Sequence, residues 1–329
     1  MPEIKNSTVL ITGGAGFVGS FIVDQLIQEG VREVVVVDNF YRGSLRNLEQ
    51  ALATRKVKIL DLDIRNSEKL DAAFKNIDYC FHMAALRITR CAECPKEAID
   101  VMVNGTYNVI ESCLKHGIQK LVAASSASIY GTADVFPTKE DHHSYNNRTL
   151  YGALKMANEG MYRAFNDMQG LNYNAMRYFN IYGPRMDTHG KYTEVLIRWH
   201  KMIKEGKPPV IYGEGNQTMD FIHVADVARA NILALKAEAK DEIFNVASSQ
   251  EISLKELCLA LLKAMSSDLA PTYIPMPDQR KKVEVTRRLA DISKASNLLG
   301  FKPKISLKEG LNDLVRWLEQ IPSLIESQV

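Results

Sequence analysis

Long apolar runs are missing from this sequence. The longest, such as VVVV at 34–37, fall far short of the roughly 20 residues that a membrane-spanning helix needs. Cysteine is scarce and unpatterned. The five stand at 80, 91, 94, 113 and 258, an odd number without the spacing of a disulfide framework. Cys91 and Cys94 form a single CxxC with no second pair and no histidine close in sequence. Free thiols in a reducing compartment are therefore expected, and no metal site. An excess of one charge is missing as well, since 41 basic and 39 acidic side chains leave a formal charge of +2. The basic clusters at 280–282 and 287–288 are short, and they give no footprint for nucleic acid or a membrane surface. The opening MPEIKNSTVLITGG has no signal-peptide core and runs straight into a strand pattern. A cytoplasmic protein is the expectation.

What is present suits one large or two coupled domains. Chains near 329 residues bury roughly 75% of their unfolded surface, so no metal or disulfide is needed for stability. Short β-rich runs at 8–12, 33–38, 57–61, 78–84, 120–125 and 173–179 alternate with helical patterns at 17–28 and 93–115. The runs are apolar on both faces, which predicts a buried parallel sheet in a doubly wound α/β fold. After about residue 180 the pattern turns loop-rich, then returns to a helix at 224–237 and a strand at 242–247. Two amphipathic helices are expected in the tail. Residues 1–180 read as a dinucleotide-binding domain that the chain revisits at about 220–250, and 181–329 as a smaller, mainly substrate-binding α/β domain. A cleft is expected between them.

The first strand runs into TGGAGFVG, with Gly13, Gly16 and Gly19, and then into an apolar helix. Such a turn brings backbone amides to a pyrophosphate at the positive end of the helix. The next strand ends at Asp38, where a carboxylate accepts hydrogen bonds from the adenine ribose and repels a 2′-phosphate. NAD is thus favoured over NADP, with Arg42 nearby as the one opposing feature. Asp63 ends the third strand's run at a place suited to an adenine edge.

YGALK at 151–155 sets Tyr151 and Lys155 on one helix face. Together with TGGAGFVG, DNF, LDIRN, HMAAL, VNGTYNV, SSASIYG, RYFNIYGPR and VIYGEGNQTMDFIHVADVARAN, in this order, the chain resembles the extended short-chain dehydrogenase/reductase family. In pattern it is most similar to the nucleotide-sugar 4-epimerases. The resemblance implies Tyr151, Lys155 and Ser126 as the catalytic set, NAD as cofactor, a UDP-sugar as substrate and a homodimer as the assembly. It further implies that Phe17, Val18, Asn39, Ile64, Ala84, Asn104 and Tyr178 meet the cofactor. Arg87, Ser128, Asn180, Arg185, Tyr212 and Arg288 would face the substrate.

A lysine charge beside the phenol is expected to favour phenolate. Sugar dehydratases of this family carry an acidic pair after the serine, whereas this chain has Ala127 and Ser128. Elimination of water needs an ionisable group there, so the reaction expected is hydride transfer alone. Relatives place an arginine after GEGNQT where this chain has Met219, so Arg280 or Lys281 would meet the diphosphate. Arg288 falls near the sugar's carbon 2 and leaves glucose, N-acetyl sugars and uronates open. His82 reads as structural, and His142 and His143 as residues of a polar loop.

Overall fold

The computed structural model describes residues 4–188, 194–276 and 285–321. Arg280 and Lys281 lie outside the described residues. Six strands, β1 (Thr8–Thr12), β2 (Glu33–Asp38), β3 (Val57–Asp61), β4 (Tyr79–His82), β5 (Lys120–Ser126) and β6 (Tyr173–Tyr178), alternate with helices in the first half. Then come β7 (Asn180–Tyr182), β8 (Val210–Tyr212), β9 (Thr218–His223), β10 (Glu242–Val246), β11 (Glu251–Ser253) and β12 (Thr272–Ile274). The main sheet is parallel, in the order β10-β6-β5-β4-β1-β2-β3.

Alternation along these strands builds two apolar layers. Val9, Ile11, Val34, Val36 and Phe81 pack on one side, with helices Phe17–Gln28 and Val224–Lys236. Leu10, Val35, Val37, Cys80 and Ala123 pack on the other, with helices Gly105–Lys115 and Leu150–Gln169. Both faces are covered, which is why the strand sequences are apolar throughout. A further core gathers Tyr182, Leu196, Trp199, Ile211, Leu257, Leu261, Leu311 and Leu314. It belongs to helices Val195–Lys204, Leu254–Ala264 and Leu307–Glu319, the last two each started by a serine–glutamate capping box.

Two expectations change. Among the described residues the tail holds three helices, because Ser293–Leu299 forms as well and buries Ala295 and Leu299 against the main sheet. The helix expected over 93–115 runs from Pro95 to Lys115 but is not uniform, since a wide π turn at Asp100–Asn104 separates Pro95–Ile99 from Gly105–Lys115. The cause is local. The Thr106 hydroxyl donates to the Met102 carbonyl at 2.7 Å, while the Gly105 amide reaches back to Asp100. Side-chain capture of a ladder carbonyl loosens a helix at that turn.

The helix that carries Tyr151 is firmly bounded. Thr149 accepts the Gly152 amide at its start, and Gly170 closes it in the left-handed conformation. Among the described residues no helix is long and apolar enough to cross a membrane.

Candidate active site

The main sheet reverses its winding between β1 and β4, and a cleft of about 500 Å³ opens there at the carboxyl ends of the strands. Gly13, Gly16, Phe17, Val18, Asp38, Asn39, Asp63, Ile64 and Ala84 line one end of it. Arg87, Ser128, Tyr151, Lys155, Tyr178 and Arg185 line the other.

At the first end the backbone is built for an anion. Helix Phe17–Gln28 starts at Gly16 with no side-chain cap and no acidic residue in its first turn. Its first amides are therefore left for a ligand. Gly13 has φ of +69°, and a Cβ there would lie 2.7 Å from the Ala84 amide. At Gly19 a Cβ would lie 2.2 Å from the Gly13 carbonyl, so this glycine sets how closely helix and loop approach.

Asp38 accepts the Ala15 amide at 3.0 Å and the Phe40 amide at 2.9 Å. Burial raises its pKa, against the pull of those two bonds. The Arg42 guanidinium is engaged elsewhere, 2.5 Å from Asp187. The residue that weighed against NAD is thus already paired. Asp63 receives Arg65 through two nitrogens and the Asn39 amide at 2.9 Å. The Arg65 bonds hold its pKa down at about 2. Donor set, open helix start and unphosphorylated-ribose carboxylate fit a dinucleotide without a 2′-phosphate.

At the second end, Ser126 accepts the Ser128 amide at 3.1 Å and hydrogen-bonds the Tyr151 phenol. Burial raises the Tyr151 pKa, and the Ser126 bond and the Arg288 charge oppose it. The Lys155 ammonium lies 6.0 Å from the Tyr151 ring and donates to the Ala124 carbonyl at 2.6 Å. Burial lowers the Lys155 pKa to about 8. Arg288, lowered by burial to about 10, is a second cation near the phenol and opposes the effect of burial. Its backbone is fixed by an amide bond to Thr218 of β9 at 2.9 Å.

Beneath this end lies a polar hub. Glu159, one turn beyond Lys155, accepts Arg177 Nε at 2.9 Å, Arg177 Nη2 at 2.7 Å and the Ser125 hydroxyl at 2.5 Å. Arg177 also donates to the Tyr130 hydroxyl at 2.9 Å. Both members of the pair are buried. The hub ties the Tyr151 helix to the ends of β5 and β6.

His82 lies between two threonines, 2.7 Å from Thr12 Oγ1 through Nδ1 and 3.1 Å from Thr106 Oγ1 through Nε2. Thr106 already donates its proton to Met102, so Nε2 is the donor and Nδ1 accepts from Thr12. That is a neutral imidazole. Burial, with the Lys155 charge, depresses its pKa from 6.5 to about 3. The unfolded chain therefore binds the extra proton first, and stability is lost as pH falls from about 6.5 toward 3. His82→Gln is expected to flatten this acid limb, measured by urea unfolding at stepped pH.

A family model described as "NAD dependent epimerase/dehydratase family" matches residues 9–247. The chain belongs to the NAD dependent epimerase/dehydratase family. It is 36% identical over 316 residues to a putative UDP-glucose 4-epimerase of Methanocaldococcus jannaschii, covering 94% of this chain and 98% of that protein. A solved UDP-N-acetylglucosamine 4-epimerase from Methanobrevibacter ruminantium, in complex with UDP-N-acetylmuramic acid, superposes with a TM-score of 0.90. The two are 31% identical, over 96% of this chain and 99% of that one. A UDP-glucose 4-epimerase with UDP-glucose from Thermotoga maritima gives 0.87 at 31% identity, covering 95% and 99%. The protein is thus an NAD-dependent enzyme of the epimerase type.

Not every residue read from the family pattern reaches the cleft of this epimerase/dehydratase member. Asn104 is exposed in the π turn, and its amide donates to Asp100 at 3.0 Å. Asn180 donates to the Asp220 carbonyl at 3.1 Å, and Tyr212 stands half-buried on β8. Neither lines the cleft; Ser126 and Arg288 are also absent from its lining and meet it through Tyr151. Arg185 does, but it is bound to Asp24 at 2.8 Å and stacks over Phe21. Four residues at the mouth went unread or half-read: Arg87 pairs with Asp187 at 3.2 Å and with Glu194 at 2.7 Å, and Arg42 shares Asp187. No sequence signal joins groups 100 positions apart.

Proposed function

We propose that this enzyme epimerises a UDP-sugar at carbon 4 through a 4-keto intermediate, with no net redox change. One observation carries the reading: the phenol of Tyr151 is held by Ser126, and the two positions that follow, Ala127 and Ser128, offer no ionisable group. The site has a proton carrier at one hydroxyl and lacks, at those positions, the acid and base that elimination of water requires.

Gly13, Gly16, Asp38 and Lys155 would hold the dinucleotide, which supplies a reversible hydride acceptor for carbon 4 when bound. Tyr151 takes the carbon-4 hydroxyl proton, and Ser126 holds that oxygen and relays the proton. Ser126 and Arg288 stabilise the phenolate against the effect of burial. The ketosugar turns over in the cleft, and Tyr151 returns the proton after the opposite face is reduced. Arg87 and the basic tail would keep the nucleotide anchored while the sugar turns.

The test is turnover of UDP-glucose, UDP-N-acetylglucosamine and UDP-glucuronate without added cofactor, with chromatographic separation of epimers. The carbon-4 epimer is expected. Release of water, or one NADH consumed per product, would refute the reading.

Arg288 favours a second reading, a uronate 4-epimerase. A guanidinium near Tyr151 would pair with a sugar carboxylate. In that case Arg288→Leu lowers kcat/KM for UDP-glucuronate about a hundredfold, but that for UDP-glucose less than tenfold. A dimer is proposed through helices Pro95–Ile99, Gly105–Lys115 and Leu150–Gln169, which expose Ile99, Tyr107, Met156 and Met168.

A further inference from the structure

The loop that joins the Ser126 strand to the Tyr151 helix carries Asp134, His142 and His143, whose ligand atoms lie within 4.8 Å of one another. His142 Nε2 is 2.8 Å from Asp134 Oδ1, and His143 Nε2 is 3.2 Å from the other oxygen, Oδ2. The protonation of His142 follows from its other contacts. Its Nδ1 lies 2.7 Å from the His143 carbonyl, an oxygen that can only accept, so Nδ1 carries the proton. Nε2 therefore carries the ring's single lone pair, which accepts the Asp134 amide at 3.3 Å, a long bond that a metal ion would replace. That lone pair then faces a carboxylate oxygen at 2.8 Å, which is repulsive unless positive charge lies between them.

We propose that this charge is a divalent transition-metal ion held by His142 Nε2, His143 Nε2 and an Asp134 carboxylate oxygen. Two imidazoles and one carboxylate are a donor set for zinc, cobalt or nickel, and three protein ligands leave room for water. The contact of Nδ1 with a backbone carbonyl is the outer-shell bond that orients a ligating histidine. The donors differ in setting. The His142 side chain is 4% exposed and meets the Tyr130 ring edge-on, whereas Asp134 and His143 are 58% and 51% exposed and open to an incoming ion. The same loop exchanges backbone bonds with the Arg288 segment, Thr138 to Leu289 at 2.8 Å and Asp291 to Thr138 at 2.9 Å. A bound ion would therefore stiffen the connection between Ser126, Tyr151 and Arg288.

The probe is Co²⁺ added to chelator-stripped protein that carries no histidine tag. One equivalent is expected to give a saturable visible ligand-field band, which Zn²⁺ then removes. Zn²⁺ at a hundredfold excess over its Kd is expected to raise Tm by roughly 4 °C. Asp134→Asn and His143→Ala, both at exposed positions, should each weaken Co²⁺ binding at least tenfold and abolish the Tm shift. Absence of a one-equivalent band in the wild-type protein overturns the proposal and leaves a second proton on His142 as the charge. A band that survives both substitutions overturns it too, by placing the metal elsewhere.

Discussion

Tyr151→Phe is expected to lower kcat by a factor of about 10³, with KM for the nucleotide sugar changed only a few fold. General acid–base groups contribute roughly 10²–10⁴ in rate, and this substitution removes the proton carrier while keeping the ring. The residual activity should no longer follow the titration of the phenol, so the pH–rate profile should flatten. Tm should hold, because the Ser128 amide still satisfies the Ser126 oxygen. Steady-state kinetics across pH, beside a thermal melt, separate this from misfolding. An unchanged kcat would remove Tyr151 from the mechanism.

Glu159→Gln is expected to be the most destabilising of the conservative changes near the site. Arg177 would stay buried with its counter-charge gone, and breaking such a pair costs about 3–5 kcal/mol. For a chain of this size that lowers Tm by about 5 °C. The Ser125 hydroxyl loses its charged acceptor in the same step, so the β5 end that carries Ser126 loosens. Glu159→Leu combined with Arg177→Met should recover part of the loss. The coupling energy from that double-mutant cycle measures the pair itself.

Much of the fold was legible because its signals are local. The apolar runs, the glycine turn and the helix Phe17–Gln28 each sit within a few residues of their cause. The π turn was not legible, since it depends on which carbonyl one threonine hydroxyl selects. At the site, Tyr151 and Ser126 were found by motif, but one charge beside them was not. The Lys155 ammonium lies near the Tyr151 ring while bonded to Ala124, and Arg288 arrives from far along the chain, where no local pattern announces it. Asn104 shows the reverse error: a matching motif, turned outward by the π turn onto Asp100. The Glu159–Arg177 hub went unread because the two residues lie on different elements and meet only after packing.

The path of the chain has a kinetic consequence. After β6 it leaves the main sheet for β7 and β9, returns through helix Val224–Lys236 and β10, and departs again at β11. Helix Ser293–Leu299 comes back once more before Leu307–Glu319 closes the second core. A hinge works where few strands of chain join two bodies, so that a small number of torsions absorb the rotation. Here the lobes are sewn together repeatedly, and no single pivot can swing them apart. Ligand exchange is then expected to proceed by parting the salt-bridged lips formed by Arg42, Arg87, Asp187 and Glu194, with the walls of the cleft keeping their spacing.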